Sequence, residues 1–256
     1  MQNTEEAEIT LENNPRFDEL FRVGAHFAYS KSRRHPTASK YIFGSKARVE
    51  IFDLEKINES LEKAKEFVHS IAQARKQILF ISGKNEAKEA IKKGAEAIHQ
   101  PYVSGRFIGG TLTNFSEIKK RISKLEGLLL EKERGELSKY SKKERLLIDR
   151  EIITLEEKFG GIVSMKSLPA AIFVVDSKRE HIVVAEARQL NIAVIALSNS
   201  DCDLSEVDYA IPGNDSARAS IEFFVHEIVL AYKNGEISEA DPSVLSDEIK
   251  NSPVLS

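Results

Sequence analysis

The 256-residue chain has one cysteine, Cys202, so no intrachain disulfide can form and a reducing compartment is expected. Long apolar runs are missing: none approaches the roughly 18–20 residues a membrane helix needs. The N-terminal MQNTEEAEITLENNP has neither the basic-then-apolar order of a secretory signal nor the arginine-rich character of a transit peptide. A cytoplasmic, soluble protein is expected. The common nucleotide motifs are absent as well. The only Gly-Lys pair, Gly83-Lys84, is followed by Asn85, and Ile78 stands where a P-loop has its first glycine. Gly105, Gly109 and Gly110 do not have the spacing of a dinucleotide fingerprint.

Acidic residues are missing from one long stretch. Between Leu20 and Val49 there is no Asp or Glu, while Arg22, Lys31, Arg33, Arg34, Lys40, Lys46 and Arg48 are present. The ends run the other way, with Glu5, Glu6, Glu8 and Glu12 at the front and Glu236, Glu239, Asp241, Asp247 and Glu248 at the back. The formal net charge of −3 therefore understates how basic the folded body is. The boundaries expected are a disordered acidic tail over 1–14, an α/β domain from 15–115 and 160–234, an insertion over 116–159, and a second disordered acidic tail over 235–256.

What is present is an alternation. Residues 17–29 have helical spacing, and 41–54 reads as two short β segments about a turn at Gly44-Ser45. Asp53 precedes a long amphipathic helix carrying Ile57, Leu61, Ala64, Phe67, Val68 and Ile71. Strands are then expected at 77–82, 101–103, 170–176, 193–198 and 209–212. Helices are expected at 85–98, 178–190 and 215–232. Continuous apolar strands between helices mean a parallel sheet covered on both faces, a doubly wound α/β domain.

Residues 116–159 break the alternation. Ile118, Ile122, Leu125 and Leu129 are spaced four, three, four, and so are Ile148, Ile152, Leu155 and Phe159, which is coiled-coil seam spacing. The two sets pair in reverse about Ser138-Lys139, as in an antiparallel hairpin. Gly135 suits a left-handed cap, and Ser141 with Glu144 forms a capping box. An arm from Ser116 to Arg134 would extend about 28 Å.

The chemistry centres on GRFIGGTLTNF, residues 105–115. Glycine turns after strands bring backbone N–H groups close to phosphates, which belong either to a nucleotide or to a nucleic-acid backbone. No lysine follows Gly110 to meet a terminal phosphate. Arg106 offers charge, Phe107 an exposed aromatic ring, and Thr111, Thr113 and Asn114 hydroxyl and amide groups, the types that contact RNA backbone. Cys202 lies in SNSDCDL between Asp201 and Asp203, which disfavour a thiolate. His26, His69, His181 and His226 lack paired ligand spacing. Asp176 is a candidate acid in an enzyme and equally a helix cap. An RNA-binding module leads at this point; a nucleotide-binding enzyme and an adaptor gripping a partner helix remain alternatives.

Several long blocks together resemble the bacterial ribosomal protein S2 family. LPAAIFVVDSKREHIVVAEARQLNIAVIAL, PYVSGRFIGGTLTNFSEIKKRI, AHFAYSKSRRHPTASKYIFG and VDYAIPGND stand in the family's order and cover nearly all of the folded part. The resemblance implies a flavodoxin-like three-layer domain with an inserted coiled-coil hairpin. It implies a non-catalytic small-subunit component that binds ribosomal RNA, neighbours other small-subunit proteins and, in many bacteria, helps dock ribosomal protein S1. Phe107 replaces the family's Trp, Ala28-Tyr29 its Gly-His and Arg34-His35 its Trp-Asn. Asn199 stands for an Asp, and Ser216 follows Asp215 where a second Asp is common. No metal, cofactor, small-molecule substrate or membrane contact is expected. The expected RNA contacts are Lys31, Arg33, Arg34, Lys40, Lys46, Arg48, Arg106, Phe107, Gly109, Gly110, Thr111, Thr113 and Asn114.

Overall fold

A computed structural model describes residues 15–237. The expected N-terminal tail and all but three residues of the C-terminal one lie outside the described residues. The chain opens with α1 (Pro15–Arg22), then an antiparallel pair, β1 (Ile42–Lys46) and β2 (Val49–Phe52). The long helix α2 (Leu54–Gln73) follows, with Asp53 accepting the Glu55 N–H as its cap.

The main sheet contains β3 (Ile78–Ile81), β4 (Tyr102–Val103), β5 (Ala171–Val175), β6 (Ala193–Ser198) and β7 (Tyr209–Pro212). All are parallel, in the spatial order β4-β3-β5-β6-β7. Counted by appearance in this sheet, that is 2-1-3-4-5, the flavodoxin-like doubly wound order, with its switch between β3 and β5. The strands read as unbroken apolar runs because each buries alternate residues into opposite cores. Ile78, Phe80, Phe173, Ile195 and Leu197 meet α2, α3 (Asn85–Ala97) and α7 (Arg218–Ile237) on one face. Leu79, Ile81, Ile172, Val174, Val194 and Ala196 meet α6 (His181–Gln189) and residues of the two helices between β4 and β5 on the other.

Between β4 and β5 the chain forms α4 (Phe115–Glu133) and α5 (Lys142–Phe159). They bury Ile118, Ile122 and Leu125 from one and Ile152, Leu155 and Phe159 from the other, with Leu129 and Ile148 half-buried. Lys124 pairs with Glu151, and Lys132 with Asp149 at 2.8 Å. Gly135 takes φ +71° just after α4, and Ser141 and Glu144 form the capping box that starts α5. The chain returns to the sheet through Gly161, where a Cβ would lie 2.2 Å from the Tyr102 carbonyl oxygen. Only a bare backbone passes there.

Several boundaries differ from the sequence reading, α6 beginning at His181 rather than 178 and α7 at Arg218 rather than 215 among them, and three of the differences have a clear local reason. α1 stops at Arg22 rather than continuing to 29, because Gly24 at φ +70° closes it with Gly24 N–H to Phe21 O and Ala25 N–H to Leu20 O. The β1–β2 turn is at Ala47-Arg48, with φ +51° and +68°, and not at Gly44-Ser45. Two-residue hairpin turns of this hand need φ > 0 at both positions, and Gly44 instead lies where the register shifts in β1. α7 continues to Ile237, three residues into the stretch assigned to the tail.

Candidate functional site

The glycine turn lies between β4 and α4, and it already holds an anion of its own. Glu186, on the inner face of α6, reaches into it and accepts the N–H of Gly110, of Leu112 (3.0 Å) and of Thr113 (3.1 Å), and the Thr113 hydroxyl (3.2 Å). Gly110 sits at φ +87°, a conformation that aims successive N–H groups at one point and that glycine adopts without strain. The sequence reading expects this turn to approach a phosphate; three of its N–H groups are instead turned on a side-chain carboxylate.

The residues expected there therefore divide. Phe107 is 6% exposed and belongs to the second core, with Leu112 and Val183 among its members, which corrects its assignment as an exposed ring. Thr111 is buried too, its hydroxyl donating to the Ile108 carbonyl at 2.6 Å. Gly110 and Thr113 spend their N–H groups on Glu186, so they shape the turn rather than face outward through those donors. Arg106, Gly109, Thr113 and Asn114 are exposed. Apolar spacing could not separate Phe107 from a surface aromatic, because irregular backbone has no period to read.

The basic stretch lies over the carboxyl end of the sheet. His35 N–H donates to Ser200 O at 2.7 Å, Tyr29 N–H to the Ser200 hydroxyl at 3.1 Å, and Leu204 N–H to the Thr37 hydroxyl at 3.0 Å. Two of its charges are committed. Arg34 pairs with buried Glu50 at 2.8 Å, and Arg33 with Asp201 at 3.3 Å while its guanidinium stacks 3.9 Å from the Tyr29 ring. Lys31, Lys40, Lys46 and Arg48, like Arg106, are exposed and have no carboxylate partner among the described residues. No hydrogen bond or ion pair among the described residues joins this stretch to the glycine turn.

Beneath the stretch is the place where doubly wound sheets receive ligands, the carboxyl ends of the strands at the switch. Here it is filled from within. Lys84, just after β3, sets its ammonium 2.8 Å from Asp176 Oδ2 and 2.7 Å from Asp215 Oδ2, and donates to the Asp215 carbonyl at 3.1 Å. Asn199 Nδ2 donates to Asp215 Oδ1 at 3.1 Å. Burial acts to lower the Lys84 pKa, but Asp215 and then Asp176 outweigh it and the net shift is upward. Asp215, wholly buried, is shifted upward by that burial despite Lys84. Asp176 holds φ +71° and accepts the Arg179 N–H, a cap-like bond two residues ahead of α6.

Asp176, Cys202 and Asp215 present ligand-type atoms within 4.8 Å of one another. The positive charge against those carboxylates comes from Lys84. Sequence reasoning weighed Gly83-Lys84 only as a failed P-loop. A cation and an acid immediately after two adjacent buried strands was the signal for this cluster.

Cys202 is fully buried, and its thiol pKa is pushed up to about 12, first by burial and then by Asp176. Ellman's reagent at pH 8 is expected to label it only after denaturant unfolds the chain, since the thiolate is the reacting form. Prompt stoichiometric labelling of the native protein would contradict this environment.

Comparison with known proteins covers nearly the same span. The family model described as ribosomal protein S2 matches residues 20–235. The chain is similar to small ribosomal subunit protein uS2 of Solidesulfovibrio magneticus, 35% identical over 90% of this chain and 89% of the relative. It is 38% identical to uS2 of Acidothermus cellulolyticus over 92% and 86% of the two chains. For Wolinella succinogenes uS2 the figures are 41% over 85% and 80%.

Proposed function

The chain belongs to the ribosomal protein S2 family, and from that premise we propose that it binds small-subunit ribosomal RNA through cations displayed on a rigid α/β body. It is a structural, non-catalytic component of the small ribosomal subunit, acting in translation on the cytoplasmic ribosome. The observation that carries RNA binding is the set Lys31, Lys40, Lys46, Arg48 and Arg106. These side chains are exposed and lack carboxylate partners among the described residues, so their charge is available to phosphates. Arg33 and Arg34 serve differently: their ion pairs anchor the stretch to the domain. Gly109, Thr113 and Asn114 give the backbone a close approach beside Arg106, while Gly110, Thr111 and Phe107 hold that surface in shape.

The α4–α5 pair is the inserted coiled-coil hairpin of the family in this reading. It divides an otherwise single domain and braces RNA or a neighbouring protein, with help in docking ribosomal protein S1 as one such role. The rival nucleotide-binding enzyme has little support, because Lys84 and two aspartates fill the switch-point position such enzymes use.

Sucrose-gradient sedimentation of a lysate is expected to find the protein in stoichiometric amount with small subunits. Changing Lys31, Lys40, Lys46, Arg48 and Arg106 together to Gln should reduce its occupancy as salt is raised. It should also flatten the log–log salt dependence of RNA binding by roughly 0.7–0.9 for each phosphate left without its cation. Protein found only in the soluble fraction, or a variant retained like the wild type, would refute the assignment.

A further inference from the structure

At the root of the α4–α5 pair is a groove of about 730 Å³, floored by Ile118, Leu155 and Phe159 and bounded by Gly109, Gly110 and Asn114 of the glycine turn. Its charge is uneven. Arg121 lines it from α4, and Arg150 and Lys158 from α5, about two turns apart. All three are exposed and form no ion pair among the described residues. Two carboxylates also line the groove, but each is matched by a lysine that is not part of it: Glu117 by Lys120 at 2.6 Å, and Glu151 by Lys124. Three cations are thus uncompensated in one concave surface.

That surface is also fixed in shape. Glu186 locks the turn on one side through the Gly110, Leu112 and Thr113 N–H groups. The buried Ile118, Ile122, Leu125, Ile152 and Leu155 hold the helices. Charge in a groove with low-dielectric walls attracts a polyanion more strongly than the same charge on a convex face.

We infer that this groove is a second RNA-backbone site, in which Arg121, Arg150 and Lys158 hold consecutive phosphates and the exposed Asn114 amide and Thr154 lie alongside as polar contacts. None of the three cations belongs to the basic stretch or to residues 105–115. The inference rests on the RNA-binding reading above, and it commits to nucleic acid over an acidic protein segment because the floor offers little apolar area for side-chain anchors.

The test is nitrocellulose filter binding of the full chain to transcribed small-subunit ribosomal RNA across a salt series. Arg121→Gln, Arg150→Gln and Lys158→Gln are combined in one variant. The expected result is at least tenfold weaker binding near 150 mM salt and a log–log slope shallower by about 2 to 3. Arg121→Lys with Arg150→Lys should keep the wild-type slope. A triple Gln variant at Lys63, Lys92 and Lys93, with the same change in net charge on α2 and α3, should leave it unchanged. If the wild type binds with a steep slope and the groove variant retains it, the groove inference is overturned and the RNA reading stands. If the wild type itself shows no saturable, salt-dependent binding, both fall. Binding of polyglutamate by the wild type that disappears in the groove variant, with RNA affinity unchanged, would overturn the inference in favour of an acidic partner.

Discussion

Replacing Lys84 by methionine is expected to cost about 3–5 kcal/mol of stability at neutral pH, because it leaves the carboxylates of Asp176 and Asp215 facing each other without a cation. Methionine fills similar volume, so the loss reports charge rather than a cavity. The pH dependence separates the two. Lys84 has a raised pKa in the folded state, so the ammonium itself is lost only as pH rises through that raised value, and any change toward acid comes from the carboxylate it faces. Asp215 is also raised, which means folding favours its protonated form: the penalty for holding it charged is felt above the ordinary aspartate range and fades as pH falls. With Lys84 gone, the Asn199 hydrogen bond is left to oppose that upward shift. The variant's deficit should therefore be widest near pH 7 and narrow toward pH 4. Urea unfolding at several pH values measures it, and a deficit that is constant with pH, or below about 1 kcal/mol, would show that the pair is not the source.

The second large effect is expected at Glu186. Glu186→Ala removes the acceptor for three backbone N–H groups and one hydroxyl at once. Each buried donor left without a partner costs roughly 1–3 kcal/mol, and water can reach the outer part of this turn, so a total of about 3 kcal/mol is expected. Glu186→Gln tests the chemistry more narrowly. It preserves volume and one oxygen but turns an NH2 group toward N–H donors, so it should recover less than half of the loss. Both variants should also expose residues 105–115 to limited proteolysis. Protection equal to wild type, with an unchanged unfolding midpoint, would mean that the turn keeps its shape without Glu186.

Much of this molecule could be read from its sequence, and the boundary of legibility has a physical cause. β6 and β7 fall on the residues their apolar runs marked, and Gly135 and the Ser141–Glu144 box end and begin helices as their residue types require. These features are local: a period of two, a period of 3.6, or a cap within four residues. The site was legible only in part. The basic charge of the 20–49 stretch is evident in the string, but that Arg34 spends its charge on Glu50 and Arg33 on Asp201 depends on partners 16 and 168 positions away. Glu186 and the glycine turn lie 76 positions apart at Gly110, and no spacing rule links them. Phe107 went wrong for a related reason, since a loop carries no period to say which way a ring turns. The groove cations Arg121, Arg150 and Lys158 were hidden by a different effect. On helices this rich in charge, each looked like one more solvated residue until pairing elsewhere showed which charges were left over.

The ammonium at the sheet's switch point has a thermodynamic consequence of its own. A ligand that diffuses in stabilises its host by an amount that rises and falls with its concentration relative to its Kd. Lys84 is tethered to β3, so its occupancy follows the folding of the strand and not the composition of the surroundings. The position that lets related sheets sense a cofactor has here been made insensitive to supply. A subunit component built this way draws this one contribution to its stability from its own chain and not from a supply of nucleotide or cation.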